Sequence, residues 1–135
     1  MSTTIAEILA ARAHNSGGFT WRTSDGRYPD KGFAVAVAKG PERIVPGTLT
    51  AADIDSFMEE HADVIKAGNA VFNGGVCIGA WLDNGNWYLD LSIVCRSLDE
   101  ALVLGRQNRQ LAVYDLEGAQ SISIPYYREP LFDVA

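Results

Sequence analysis

The sequence predicts an α+β fold, a mainly antiparallel sheet around a hairpin at 75–94 with two or three helices packed on one face. Three observations carry that prediction: a hairpin with a self-consistent register, apolar stripes at helical spacing that begin with capping residues, and short alternating runs separated by glycine and proline. Val76-Cys77-Ile78-Gly79-Ala80-Trp81-Leu82-Asp83 meets Asn86-Trp87-Tyr88-Leu89-Asp90-Leu91-Ser92-Ile93 across Asn84-Gly85. That dipeptide suits a two-residue type I′ turn, whose central residues both need positive φ. With Asp83 opposite Asn86, Leu82 pairs with Trp87, Ala80 with Leu89, Ile78 with Leu91 and Val76 with Ile93, so one face is wholly apolar. The other face holds Trp81 opposite Tyr88, Gly79 opposite Asp90 and Cys77 opposite Ser92. Burying Trp87, Leu89, Leu91 or Ile93 contributes about 1.5–3 kcal/mol each before entropy, so the hairpin is the expected centre of the core.

The remaining elements follow in order. Thr4-Ile5-Ala6-Glu7 has capping-box spacing and starts a helix that ends before Ser16-Gly17-Gly18. Its stripe of Ile5, Ile8, Leu9 and Arg12 needs a sheet to lie on. Phe19 to Arg22 reads as a strand, Thr23-Ser24-Asp25-Gly26 as a turn, and Gly32 to Ala38 as a second strand. Phe33, Val35 and Val37 face one way; Ala34, Ala36 and Ala38 leave a side that a helix or a neighbouring chain can cover closely. Pro41 and Pro46 bracket Glu42-Arg43-Ile44-Val45, a short edge strand. A helix over 50–67 follows, with Thr50 as cap, Asp53 at N3, a Leu49–Ile54 staple, and Ile54, Phe57, Met58, His61 and Ile65 as its stripe. Gly68-Asn69 is its expected stop. Ser97-Leu98-Asp99-Glu100 opens a helix over 97–109 that buries Leu98, Ala101, Leu102 and Gly105 and carries Arg106 and Arg109 in its last turn. Leu111 to Leu116 and Ser121 to Ile124 read as strands around a Glu117-Gly118 turn, and 125–135 as an extended C-terminal arm of the single domain 1–135.

Composition bounds the function. With 135 residues, 47% apolar and 21% charged, the chain has ordinary globular values and should bury roughly two-thirds of its unfolded surface. Seventeen carboxylates against eleven Lys and Arg give a net charge of −6, which disfavours direct nucleic-acid binding for want of a basic stripe. The two cysteines, Cys77 and Cys95, fall on opposite faces of the hairpin, so two free thiols and a reducing, cytoplasmic setting are expected. Met1-Ser2-Thr3-Thr4 lacks the basic start and apolar run of a signal peptide, and no apolar stretch is long enough to span a bilayer, so no membrane association is expected.

No catalytic signature stands out, and the expectation is a protein that is not an enzyme and uses no cofactor or metal. His14 and His61 are the only histidines; the first sits in a helix's last turn, and the second on an apolar stripe. Neither cysteines nor histidines have ligand spacing, and Gly17-Gly18 and Gly74-Gly75 do not continue into a phosphate-loop pattern. Asp83 and Asp90 lie about 10 Å apart along the strands at ~3.3 Å per residue, too far to share a proton though not to handle a water between them, and no third group marks such a site.

Two surfaces remain as candidates. Trp81, Tyr88, Asp90 and Ser92 place two amphipathic rings beside a carboxylate, a composition suited to protein recognition if that face is open. Cover by the C-terminal arm or the first helix is the favoured alternative, and would make these rings core residues. The second surface is acidic: Glu59, Glu60 and Asp63, with Asp53 and Asp55, either mimic a row of phosphates or simply solvate a helix.

Across Gly79 to Leu116 the order of Gly-Ala-Trp-Leu-Asp, Trp-Tyr-Leu-Asp-Leu-Ser, Ser-Leu-Asp-Glu-Ala-Leu, Gly-Arg-Gln-Asn-Arg-Gln and Ala-Val-Tyr-Asp-Leu resembles a segment of small uncharacterised proteins of actinobacteria and their phages. Gly17-Gly18-Phe19-Thr20 and Gly32-Phe33-Ala34-Val35 are similar to the start of the same proteins. The resemblance implies a phage or mobile-element setting and carries over no catalytic residue. The function expected is therefore a non-enzymatic accessory protein that binds a protein partner, for example as an inhibitor of a host or defence protein. The alternative is a small-molecule binder or minor enzyme with a pocket at the Trp81, Tyr88 and Asp90 face. Homodimerisation through a strand edge is compatible with either.

Overall fold

The computed structural model describes residues 3–37 and 42–125. In chain order the elements are α1 (Ile5–Ser16), β1 (Gly18–Arg22), β2 (Phe33–Ala36), β3 (Glu42–Pro46), α2 (Ala51–Glu60), α3 (Ala62–Val71), β4 (Cys77–Asp83), β5 (Asn86–Cys95), α4 (Leu98–Gln107), β6 (Ala112–Asp115) and β7 (Gln120–Ser123). The result is an α+β fold in which every strand among the described residues belongs to one antiparallel sheet. The expected arm at 125–135 falls, beyond Pro125, outside the described residues.

The hairpin has the register its alternation requires, from Asp83 opposite Asn86 to Cys77 opposite Ser92. Asn84 and Gly85 take φ of 50° and 78°, the left-handed geometry that tightens the turn. Around it the sheet runs β1-β4-β5-β2-β6-β7. β5 is long enough to hold two partners in line on its second flank: β3 pairs with Asn86 to Asp90, and β2 with Ser92 to Cys95. The Val37 amide, which donates to the Leu91 carbonyl at 3.1 Å, joins the two pairings.

All the helical packing falls on the apolar face. Ala6, Leu9 and Ala13 of α1 and Ile54 and Phe57 of α2 are buried against Phe19, Trp21, Ile78, Ala80, Trp87, Leu89 and Leu91. Ala101 of α4 closes a second cluster with Val35, Val113 and Ile124. The caps hold these helices where the sequence starts them. Thr4 accepts from the Glu7 amide at 3.2 Å while the Thr4 amide donates to Glu7, and Thr50 and Asp53 make the same reciprocal pair. Leu49 and Ile54, the residues of the staple, are both fully buried. At α4, Ser97 accepts from the Glu100 amide at 3.1 Å.

Four expectations need correction. The helix expected over 50–67 is two helices, broken at His61, whose φ of −108° and ψ of 18° end α2. The break lets α2 commit Ile54 and Phe57 to the core while α3 approaches the sheet through Ile65 and Phe72. Gly68 does not stop the second helix, which runs to Val71. A side chain there would collide with that of Val76, so Gly68 serves a close approach of α3 to the sheet. α4 covers the Val35 side of β2, where the larger side chains offer more apolar area, and not the alanine side. Arg109, expected in the last turn of α4, lies beyond it with φ of 57°.

Candidate functional site

Because the helices share one face, none of the described helices lies on the other. Strand alternation brings Trp81 and Gly79 of β4, Tyr88 and Asp90 of β5, and Glu42 and Ile44 of β3 together there. Trp81 and Tyr88 stack, with ring centroids 4.4 Å apart and planes inclined by 13°. Trp81 is 44% exposed, and Ile44, opposite Tyr88, is exposed as well. The rings thus form an open apolar shelf with their polar atoms at its margin.

Asp90 sits beside that shelf. Its carboxylate lies over the backbone of Gly79, where an added Cβ would come within 2.5 Å of Oδ1, so glycine opposite Asp90 provides the space. Burial pushes the Asp90 carboxyl up to about 6 even though the Trp81 side chain donates a hydrogen bond to it, and the charge of Glu42 raises it further. Ser92 shares the face but is only 4% exposed, which leaves the accessible surface to Trp81, Tyr88 and Ile44.

The first helix, one of the expected covers for these rings, packs on the opposite face. The acidic residues are also on the helical side and do not join the aromatic shelf. Glu59 and Glu60 close α2, whereas Asp63 opens α3 beyond the break. Glu60 is paired with Arg43, whose guanidinium also lies over the Phe57 ring at 5.7 Å. The row of carboxylates is therefore interrupted by a helix end and partly neutralised.

The residues weighed for catalysis have structural partners. The His14 Nε2–H donates to the Leu49 carbonyl at 3.0 Å, and its ring meets Trp87 edge-on. His61 meets Phe57 in the same manner, at 4.7 Å between centroids. Cys77 and Cys95 are free thiols. Burial pushes the Cys77 thiol up to about 11 despite the neighbouring Arg22 guanidinium, and burial also raises that of Cys95. Among the described residues no three His, Cys, Asp or Glu side chains gather to hold a metal ion, and no helix is long and apolar enough to cross a membrane.

Two grooves lie away from the shelf. One, of about 390 Å³, runs between α3 and the sheet and is apolar, lined by Val64, Val71 and Val76 among others. The other, of about 670 Å³, opens at the end of the sheet where β4 begins and β5 ends, and gathers Arg22, Lys31 and Arg96. Neither Ile44 on the shelf nor this groove is legible in the sequence, since both depend on strand pairings between distant segments. An alternating run such as Glu42 to Val45 identifies a strand without identifying its neighbour. No protein-family model, curated protein or solved structure matches the chain.

Proposed function

We propose that the protein is a non-enzymatic binding protein that occupies a protein partner through the shelf of Trp81, Tyr88 and Ile44, with Asp90 at its edge. The observation that carries this reading is the stacked Trp81–Tyr88 pair on a sheet face that no described helix covers. Exposed aromatic pairs held by mutual stacking present large contact area at little cost in side-chain freedom. The partner in this reading is a host or defence protein, with this chain as its inhibitor.

A pull-down from host lysate tests the reading. The wild-type chain is expected to recover one specific protein, and a Trp81→Ala/Tyr88→Ala variant with a native thermal melt is expected to lose it. Recovery undiminished by the double substitution would remove the shelf as the binding surface.

A further inference from the structure

We propose that the groove at the end of β4 and β5 is a binding site for a small phosphate monoester, held by Lys31 and Arg96. This proposal is independent of the aromatic shelf, and its success or failure leaves the shelf untouched.

The groove exists because the two hairpin strands end out of step. Pairing with β4 stops at the Cys77–Ser92 rung, while β5 continues to Cys95 along β2. Backbone polar groups in an antiparallel pair point alternately to the two flanks, and Leu91 uses its carbonyl toward β2. Val94 therefore directs its N–H and carbonyl to the flank that β4 has left, into the groove. Gly74 and Gly75 form the facing wall.

That wall is held in place. The Asn69 side chain accepts from the Val76 amide at 2.7 Å and donates to the Thr23 hydroxyl at 3.0 Å, and Thr23 donates to the Val76 carbonyl at 2.7 Å. Gly75 has a φ of +73°, and a Cβ there would approach Ser24 Oγ at 2.8 Å and Asn69 Oδ1 at 2.9 Å. On the other side Gly32 lies equally close, where a Cβ would meet the Cys95 carbonyl oxygen at 2.7 Å.

The charges favour a dianion. Three cations line the groove against one carboxylate, Glu100, in a chain whose net charge is −6. Arg22 is paired with Asp25 at 3.2 Å and lies beside the Cys77 thiol, so it adds positive charge to the wall while Lys31 and Arg96 are the cations open to a ligand. Lys31 and Arg96 have no ion pair among the described residues. Two unpaired cations match the charge of about −1.5 to −2 that a phosphate monoester carries near neutral pH. A volume of about 670 Å³ exceeds the need of a bare anion, and the Phe72 ring on the wall suits a flat body attached to the phosphate.

The test measures stabilisation of the folded chain by inorganic phosphate and by adenosine monophosphate, with adenosine, succinate and chloride at matched ionic strength as controls. Phosphate and the monophosphate are expected to raise the melting temperature at about 10 mM, the monophosphate more, with a dissociation constant of about 1 mM or tighter. Lys31→Ala/Arg96→Ala alters two exposed side chains and should melt as the wild type does without ligand. It is expected to weaken binding at least about tenfold. No stabilisation by phosphate or the monophosphate beyond that of chloride would overturn the proposal. So would an equal effect of succinate, an equal effect of adenosine, or undiminished binding by the double variant.

Discussion

Asp90 is the residue whose environment departs furthest from its reading in the sequence. Register alone places it opposite Gly79, but its burial depends on what lies around Gly79 and on the Trp81 side chain. Its carboxyl titrates near about 6 in the folded chain against an ordinary value of 3.8, with burial as the main cause. Between those values the folded state keeps a proton that the unfolded chain has lost, so Asp90 lowers stability as pH rises from about 4 to about 6. Asp90→Asn removes this contribution. Urea unfolding between pH 4 and pH 7 should show that the variant loses less stability over that window than the wild type does. Equal losses would mean that Asp90 is solvated. The thiols lead to a second expectation at this scale. Since Cys77 is buried and its thiol is pushed up to about 11, a thiol reagent at neutral pH should label it only after denaturation. Rapid native labelling of Cys77 would contradict the packing of β4.

Among the elements, those fixed by local chemistry were legible in the sequence. The Asn84-Gly85 turn set the hairpin to the residue, and Thr4, Thr50 and Ser97 set the starts of α1, α2 and α4. What the sequence could not provide were choices between distant segments. The pairing of β3 and β2 along one flank of β5, and hence Ile44 beside Tyr88, has no local signature. Gly68 illustrates the same limit, since glycine near a helix end reads as a stop and here permits contact with Val76. Gly68→Ala makes a test of that distinction. In a helix interior the substitution should stabilise by up to about 1 kcal/mol through propensity. At a tight contact it should instead destabilise by about 1–3 kcal/mol through overpacking. Denaturant titration is expected to give the second sign, and a stabilised variant would free Gly68 of its packing role.

At the scale of the whole molecule, one decision organises everything else: the helices lie on the face of Trp87, Leu89 and Leu91, and the face of Trp81 and Tyr88 is left to other uses. The split also separates the acidic residues of α2 and α3 from the aromatic shelf, so the two surfaces singled out in the sequence cannot engage one small epitope together. Leu89→Asp would place a charge at the centre of the core, a loss comparable to the about 5–15 kcal/mol that stabilises a typical domain. Its cooperative thermal transition should disappear; a melt within about 2 °C of the wild type would contradict the assignment of faces. The three tryptophans allow the most direct measurement, because Trp81 is 44% exposed while Trp21 and Trp87 are 9% and 2% exposed. Hydroxyl-radical footprinting of the native chain, read by mass spectrometry, should oxidise Trp81 well ahead of the other two, and denaturant should abolish the difference. Protection of Trp81 equal to that of Trp87 in the native chain would contradict an open aromatic face.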